Sequence, residues 1–501
     1  MILSIHFHQG GILKRIGSNK FADSNINIMI SLIKPFIKDS LVYGIGEFIN
    51  RSTQLLILPL ILIYLTPSEF GKLDYFFASR NILSVLFGWG VATALMKYGM
   101  DLKKYKFGEV ALNAVLVVFL LDIGASILIL LSIDIMNSLL LDGDYFNEYI
   151  IIIITSSFVA LRTIPLSIFR LKSKPLPFIT VNAINMVLYF SIAFILLKFY
   201  KLTYFSFLWA NLLSSLISMM IAFGFSNRYF SFQFNKGLIG QLIKFGLSIL
   251  STSFTFIIIS NSNRIFLKLN TGFEEIGILG MATRISTIVG AFIISPFNLA
   301  WLPYVLKNQN KDYFQDVVSY LFRLLSFLGI FLSLILIYTG PFIFLYFNKL
   351  EYLDSFNFVP LFCLSFLFLG YYFMFSAGIF VSGNYKKYYT ISFWVIIFNF
   401  GLYFILMSYL SLYVVSFITL ASHILMSYMA YSFGNPYIKI KVLHKKLGHL
   451  VLSTMLILLP YFGFIKNSYT ITIELLIVSI LFISSIFYLW KIDFFKIKLS
   501  S

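Results

Sequence analysis

Six arginines fall inside apolar stretches of this 501-residue chain: Arg51, Arg80, Arg162, Arg264, Arg284 and Arg323. A guanidinium at the centre of a membrane span costs roughly 2.5–3.5 kcal/mol on insertion scales, so these side chains need a reason to be there. Every intramembrane basic position is arginine rather than lysine. The planar guanidinium fork can hold two phosphate oxygens at once, whereas an ammonium acts as a point charge. Two acids accompany them, Glu47 and Asp122. Glu47 and Arg51 stand four residues apart, on one helix face, and can pair. One reading of that pair is structural. The other makes Glu47 a site for a proton or sodium ion whose binding loosens Arg51, and Asp122 admits the same two readings.

The elements that must position these residues are transmembrane helices. Hydrophobic residues make up 59% of the chain and charged residues 12%, against about 25% charged in soluble domains. Mean hydropathy is +0.90. Runs of about twenty apolar residues, enough to cross ~30 Å of hydrocarbon, recur along nearly the whole length. The expected fold is all-α and polytopic, with about fourteen spans near 40–65, 75–97, 108–133, 149–169, 177–197, 203–226, 239–266, 277–302, 318–347, 356–380, 389–409, 412–432, 448–465 and 471–490. Short connections such as Thr66-Pro67-Ser68 and Gly434-Asn435-Pro436 leave no room for a separate soluble domain.

Basic residues set the orientation. With a cytoplasmic N-terminus, 26 lysines and arginines fall in cytoplasmic segments and 6 on the opposite side, alternating in register with the spans. Both termini are therefore expected in the cytoplasm, and topology rather than nucleic acid accounts for the net charge of +18. The same assignment leaves +19 on the cytoplasmic side, −5 outside and +4 within the membrane layer. Arg162 and Arg323, about two turns from cytoplasmic ends, and Arg264, close to an outer end, are expected to snorkel toward the interface. Arg51 is too central for that, while Arg80 and Arg284 stand between the two cases. A water-filled cavity that receives a lipid-linked phosphate or pyrophosphate would account for the surplus. Asn182, Asn185, Asn211, Asn261, Asn263 and Asn399 are expected mainly to join helices.

Other chemistries find little support. The single cysteine, Cys363, excludes an intramolecular disulfide, and no Cys-based metal cluster or cofactor is called for. The five histidines show no ligand or triad spacing, and no G-x-x-x-x-G-K-[ST] loop occurs, which speaks against an enzyme or an ATP-driven pump in this chain. Residues 1–38 lack a signal-peptide pattern and read as a cytoplasmic leader, with Met29 as an alternative start.

The chain also repeats itself. Tyr64-Leu65-Thr66-Pro67-Ser68-Glu69-Phe70-Gly71 precedes the second span, and Asn270-Thr271-Gly272-Phe273-Glu274-Glu275-Ile276-Gly277 precedes the eighth. Glu-x-Gly recurs 206 residues apart, followed each time by an intramembrane arginine, Arg80 and Arg284. Such repeats usually place the transport site between two duplicated halves. Together with Tyr43-Gly44-Ile45-Gly46, Leu58-Pro59-Leu60, Lys244-Phe245-Gly246, Asn263-Arg264, Trp301-Leu302-Pro303 and Gly378 to Lys387, the sequence resembles the bacterial polysaccharide flippases. These belong to the multidrug/oligosaccharidyl-lipid/polysaccharide exporter superfamily. The resemblance covers roughly residues 36 to 465.

It implies two pseudo-symmetric six-helix lobes in a V, at 39–230 and 231–435, with two further helices and a cytoplasmic tail over 436–501. It also implies alternating access in the bacterial inner membrane, moving undecaprenyl-pyrophosphate-linked oligosaccharide for O-antigen, lipopolysaccharide or capsule synthesis. Implied partners are membrane lipid, an H+ or Na+ counter-ion and other polysaccharide-assembly proteins. In the superfamily the first, second, seventh and eighth spans line the cavity, which marks Arg51, Arg80, Arg264 and Arg284 for substrate. Relatives often have Asp-Arg where this chain has Asn263-Arg264, so Arg264 is expected to lack an intrahelical counter-ion. The alternatives are a cation-coupled multidrug exporter, for which an acid-lined cavity would be expected, and a membrane oligosaccharide polymerase or ligase.

Overall fold

The computed structural model describes residues 57–438, apart from 101–104, 137–144, 173, 312 and 385. Arg51, Glu47 and the two C-terminal spans lie outside the described residues. Among the described residues there is no β-strand. Fourteen α-helices follow in order: α1 Leu58–Tyr64, α2 Pro67–Gly88, α3 Val91–Met100, α4 Phe107–Met136, α5 Phe146–Leu171, α6 Pro175–Ile195, α7 Thr203–Ser226, α8 Lys236–Lys268, α9 Phe273–Val289, α10 Ser295–Asn308, α11 Phe314–Tyr346, α12 Val359–Ser382, α13 Lys386–Ile405 and α14 Leu412–Gly434. Ten helical stretches among them are long and apolar enough to cross a membrane. The chain is an all-α polytopic membrane protein.

The expected second span begins earlier than hydropathy alone places it. Thr66 caps α2 with a reciprocal box, its hydroxyl accepting from the Glu69 amide while the Glu69 carboxylate accepts from the Thr66 amide. Pro67 occupies the first turn, where its missing N–H costs nothing. The helix therefore runs through Asp74, which hydropathy had assigned to the outer loop. The structure corrects that assignment: Asp74 is a buried helical residue. At its far end α2 breaks at Trp89 and Gly90, both in the left-handed region (φ 45 and 66), before α3 resumes. A π-helical turn over Gly290–Ile294 separates α9 from α10, just ahead of Pro296. That wide turn accommodates the amide hydrogen that Pro296 lacks.

One helix crossing organises the fold. At α2 and α9 the repeated glycines meet reciprocally. A Cβ on Gly71 would overlap the Phe273 carbonyl, and a Cβ on Gly277 would overlap the Pro67 carbonyl. Phe273 lies four residues before Gly277, and Pro67 four before Gly71. The two copies of the repeat thus touch through equivalent backbone atoms, as a local two-fold requires. Small residues permit such an approach inside a membrane, where packing rather than the hydrophobic effect holds helices together. A second tight contact joins Gly90 to Gly246 of α8. There the first turns of α8 pack, through Leu238 and Leu242, into a cluster with Val91, Leu95, Val110 and Ile164 from α3, α4 and α5.

Gly71→Ala and Gly277→Ala should each lower the thermal unfolding midpoint in detergent, since overpacking costs about 1–3 kcal/mol even where only side chains must yield. Gly124→Ala, at a position with nothing within 4 Å of the added methyl, should leave the midpoint unchanged or raise it slightly.

Candidate functional site

Between the two tight contacts lies a cavity of about 420 Å³. Its walls come from α2, α5, α6, α7, α8 and α9, with Ile57 and Phe366 of α12 at the edge, and they carry four arginines, Arg80, Arg162, Arg264 and Arg284, with one acid, Asp74. On α2 the lining positions are Asp74, Phe77, Ala78, Arg80 and Asn81; Asp74, Phe77, Ala78 and Asn81 follow the three-and-four spacing of one helix face, with Arg80 beside it.

Each guanidinium has different company. Arg264 on α8 is 5% exposed; its Nε donates to Asp74 Oδ2 on α2 at 2.9 Å. Its Nη1 donates to the Asn263 side-chain oxygen at 2.7 Å and to the Ser260 carbonyl at 2.9 Å. The expectation that Arg264 snorkels toward the outer interface is thereby corrected, while its helix indeed supplies no counter-ion. The charge partner comes from another helix, and Gly280 of α9 leaves the space that the Asp74 carboxylate occupies. Arg80 donates to Asn211 of α7 at 2.7 Å and to Asn81 at 2.6 Å, and its guanidinium lies 5.3 Å from the Phe77 ring. Its buried Nε has no hydrogen-bond partner among the described residues. Arg284 lies over the face of Phe70, 4.9 Å from the ring centre, and among the described residues it makes no hydrogen bond or ion pair.

Arg162 is a second correction. Instead of reaching toward a membrane interface, it lines the cavity and donates to Ser218 at 2.7 Å, and Ser218 donates in turn to Asn185 at 3.1 Å. Three of the asparagines expected to join helices, Asn185, Asn211 and Asn261, also line the cavity, whereas Asn182 bonds only its own helix. Asn263 and Asn399 do join helices, Asn263 to Thr419 at 3.4 Å and Asn399 to Ser422 at 2.8 Å. Arg323 stays apart from the cavity, its Nε on the Ser319 carbonyl at 3.2 Å. Asp122 is also elsewhere, buried in α4, with no hydrogen-bond partner for either carboxylate oxygen among the described residues.

The cavity is therefore cationic. Four guanidiniums and one carboxylate leave three positive charges uncompensated among its described lining. A charge that is desolvated but unpaired attracts an anion strongly, and hydrogen bonds to guanidinium are about twice as strong as neutral ones. Amide side chains and Tyr189 complete a wall rich in donors and acceptors, the composition that polyhydroxylated ligands require.

Residues 36–309 match the family described as polysaccharide biosynthesis protein. The chain belongs to that family. Among solved structures, this polysaccharide biosynthesis protein is similar in fold to the lipid II flippase MurJ in an inward closed conformation. The TM-score is 0.69 with 16% identity, over 91% of this chain and 100% of that one. It is similar also to a multidrug resistance MATE family transporter of the MOP superfamily in an inward-facing conformation, with a TM-score of 0.64 and 14% identity over 78% and 94% of the two chains. The outward-facing form of such a transporter matches at 0.57, with 15% identity over 80% and 96%. A Haemophilus influenzae protein described as an uncharacterized membrane protein is 24% identical over 281 residues, which are 54% of this chain and 65% of that relative. The chain thus spans less than two thirds of that relative's length. The fold expected from the sequence holds.

Removing Asp74 while keeping Arg264 leaves a buried charge without its partner, a loss of about 3–5 kcal/mol where such pairs are broken elsewhere. Asp74→Ala should therefore lower the unfolding midpoint in detergent markedly, and Asp74→Ala with Arg264→Met should recover most of the loss.

Proposed function

We propose that this protein is a flippase that carries a lipid-linked oligosaccharide pyrophosphate, of the undecaprenyl class, across the cytoplasmic membrane for surface polysaccharide synthesis. The observation that carries the reading is the surplus of guanidinium charge in a cavity flanked by both helix contacts. A pyrophosphate diester presents two negative charges and several acceptor oxygens, which Arg284, Arg80 and Arg162 match in charge and fork geometry. The sugars would pass along the amide-lined wall while the prenyl tail stays in lipid. O-antigen and capsule units are the products that such a carrier would serve. The family and the fold support transport rather than catalysis.

The Asp74–Arg264 pair supplies a reason for cargo to move the helices. An incoming phosphate competes with the Asp74 carboxylate for Arg264, and displacement removes the ion pair that ties α2 to α8. Lobes comprising the six N-terminal and six C-terminal helices would then rock about the glycine crossing, exposing the cavity to the other side. Ligand energy is coupled to motion here because the two states differ in who satisfies one guanidinium. An inside-negative potential acts on the same charges at about 2.3 kcal/mol per charge per 100 mV, favouring an empty cavity that faces the cytoplasm. Glu47 and Asp122 are the candidates for a coupled proton or sodium ion. In this reading both termini are cytoplasmic. A multidrug exporter of hydrophobic cations would have to place its cargo against the uncompensated positive charge, which the electrostatics disfavours.

Arg80→Gln and Arg284→Gln should each abolish complementation of a flippase-null strain at unchanged membrane abundance, with Arg323→Gln retaining activity. Full activity of both cavity variants would reject the phosphate assignment. Asp74→Asn should leave prenyl pyrophosphate binding intact or tighter while slowing transport, because the competing carboxylate is gone and the closed state is no longer held.

A further inference from the structure

Away from the arginine-lined cavity, a second recess of about 620 Å³ opens between the start of α6 and the end of α7. One wall carries Leu176, Pro177 and Thr180; the other carries Gly224, Phe225 and Arg228. Local sequence explains why the space is there. Pro175 and Pro177 rigidify the entry to α6, and α7 ends at Ser226, where a short 3-10 turn over Asn227–Tyr229 carries the chain aside. Gly224 faces open space, since nothing lies within 4 Å of where its Cβ would stand. Behind the recess, Phe169, Val181 and Ala222 form a small buried cluster that joins α5, α6 and α7.

Two kinds of chemistry share this recess. Leu176 and Phe225 are exposed large apolar side chains, at 76% and 46%. Arg228 projects beside them, 5.0 Å from the Tyr229 ring, and among the described residues it makes no hydrogen bond or ion pair. No aspartate or glutamate occurs between Glu148 and Glu274, so neither α6 nor α7 offers a carboxylate to Arg228. Glu109, the acid at the start of α4, is turned instead to the Asn235 side chain at 2.7 Å. Arg170 in the last turn of α5, with Lys172 and Lys174 in the connection to α6, adds positive charge nearby. The charge count places all of these at the cytoplasmic boundary of the membrane layer.

From this juxtaposition of open apolar walls and an unneutralised guanidinium at a helix end, we infer that the recess binds an anionic phospholipid of the inner leaflet. Its phosphodiester sits on Arg228 and its acyl chains lie along Leu176 and Phe225. Charge complementarity selects the occupant: a zwitterionic lipid brings a competing cation, and a free phosphate makes no use of the apolar walls. Basic recesses between membrane helices on the cytoplasmic side are a recurring form of headgroup recognition. The site is independent of the cargo assigned to the main cavity.

The test uses the full chain purified in detergent, read by native mass spectrometry and by thermal unfolding. Phosphatidylglycerol should be retained by the wild-type protein and raise its midpoint. Both effects should fall severalfold in Arg228→Gln and in Gly224→Trp, which fills the groove at an exposed position, with partial rescue in Arg228→Lys. Phosphatidylcholine and inorganic phosphate should not reproduce the shift. Equal retention of phosphatidylglycerol by wild type and both variants, or equal binding of phosphatidylcholine, would overturn the proposal. Displacement of phosphatidylglycerol by farnesyl pyrophosphate that depends on Arg228 would also overturn it, by assigning the recess to prenyl pyrophosphate instead.

Discussion

A guanidinium does not shed its charge in the membrane, so each buried arginine must be met by water, a counter-charge or a set of dipoles. That constraint orders this structure. Arg264 is met by Asp74, Arg80 by two amides and an aromatic face, Arg162 by a hydroxyl backed by an amide, and Arg284 by the face of Phe70. The series runs from a full ion pair to a cation that, among the described residues, lies on a ring with no hydrogen bond or ion pair. Affinity for an anion should rise along it, because the least satisfied donors gain most from a phosphate.

The helix crossing at Gly71 and Gly277 allows those arginines to share one space. Backbone contact between α2 and α9 brings Phe70 under Arg284, and Asp74 over Gly280 to reach Arg264 on α8. Had the repeat been strictly symmetric, position 280 would carry an acid like position 74, and the two carboxylates would collide. The departure from symmetry at that single pair spares the cavity a second carboxylate and so raises its positive surplus. It also makes the two sides of the cavity unequal, with the carboxylate on one and none on the wall formed by α5, α6 and α7.

Much of this was legible from residue types and spacing. The all-α polytopic class and the importance of the repeat followed from hydropathy and from Glu-x-Gly at two places, because membrane helices are dictated by composition. Depth alone left Arg80 and Arg284 between the two cases, and the family resemblance was what marked them for the cavity that they line. Asp74 was not, because hydropathy averages over a window and one acid near a helix start reads as loop. The capping box at Thr66 and Glu69 was the overlooked signal, since it starts α2 a full two turns before Asp74. Arg162 was misjudged on distance from a span end. Depth along a helix says nothing about azimuth, and its hydrogen bond to Ser218 depends on how α5 and α7 face one another. The Asp74–Arg264 pair spans 190 residues of chain, beyond the reach of any local pattern.

The central claim is that the surplus positive charge faces a wet, anion-binding cavity rather than lipid. Cys363 is buried and is the sole cysteine, so Cys363→Ser gives a background for single-cysteine labelling. Positions 260 and 283, as Ser260→Cys and Thr283→Cys, line the cavity, and position 131, as Leu131→Cys, is exposed on the outer surface of the apolar helix α4. Rates of modification by a charged, water-soluble methanethiosulfonate should be high at positions 260 and 283, slowed by farnesyl pyrophosphate, and negligible at 131. Rates at 260 and 283 as low as at 131, or indifferent to farnesyl pyrophosphate, would contradict the account.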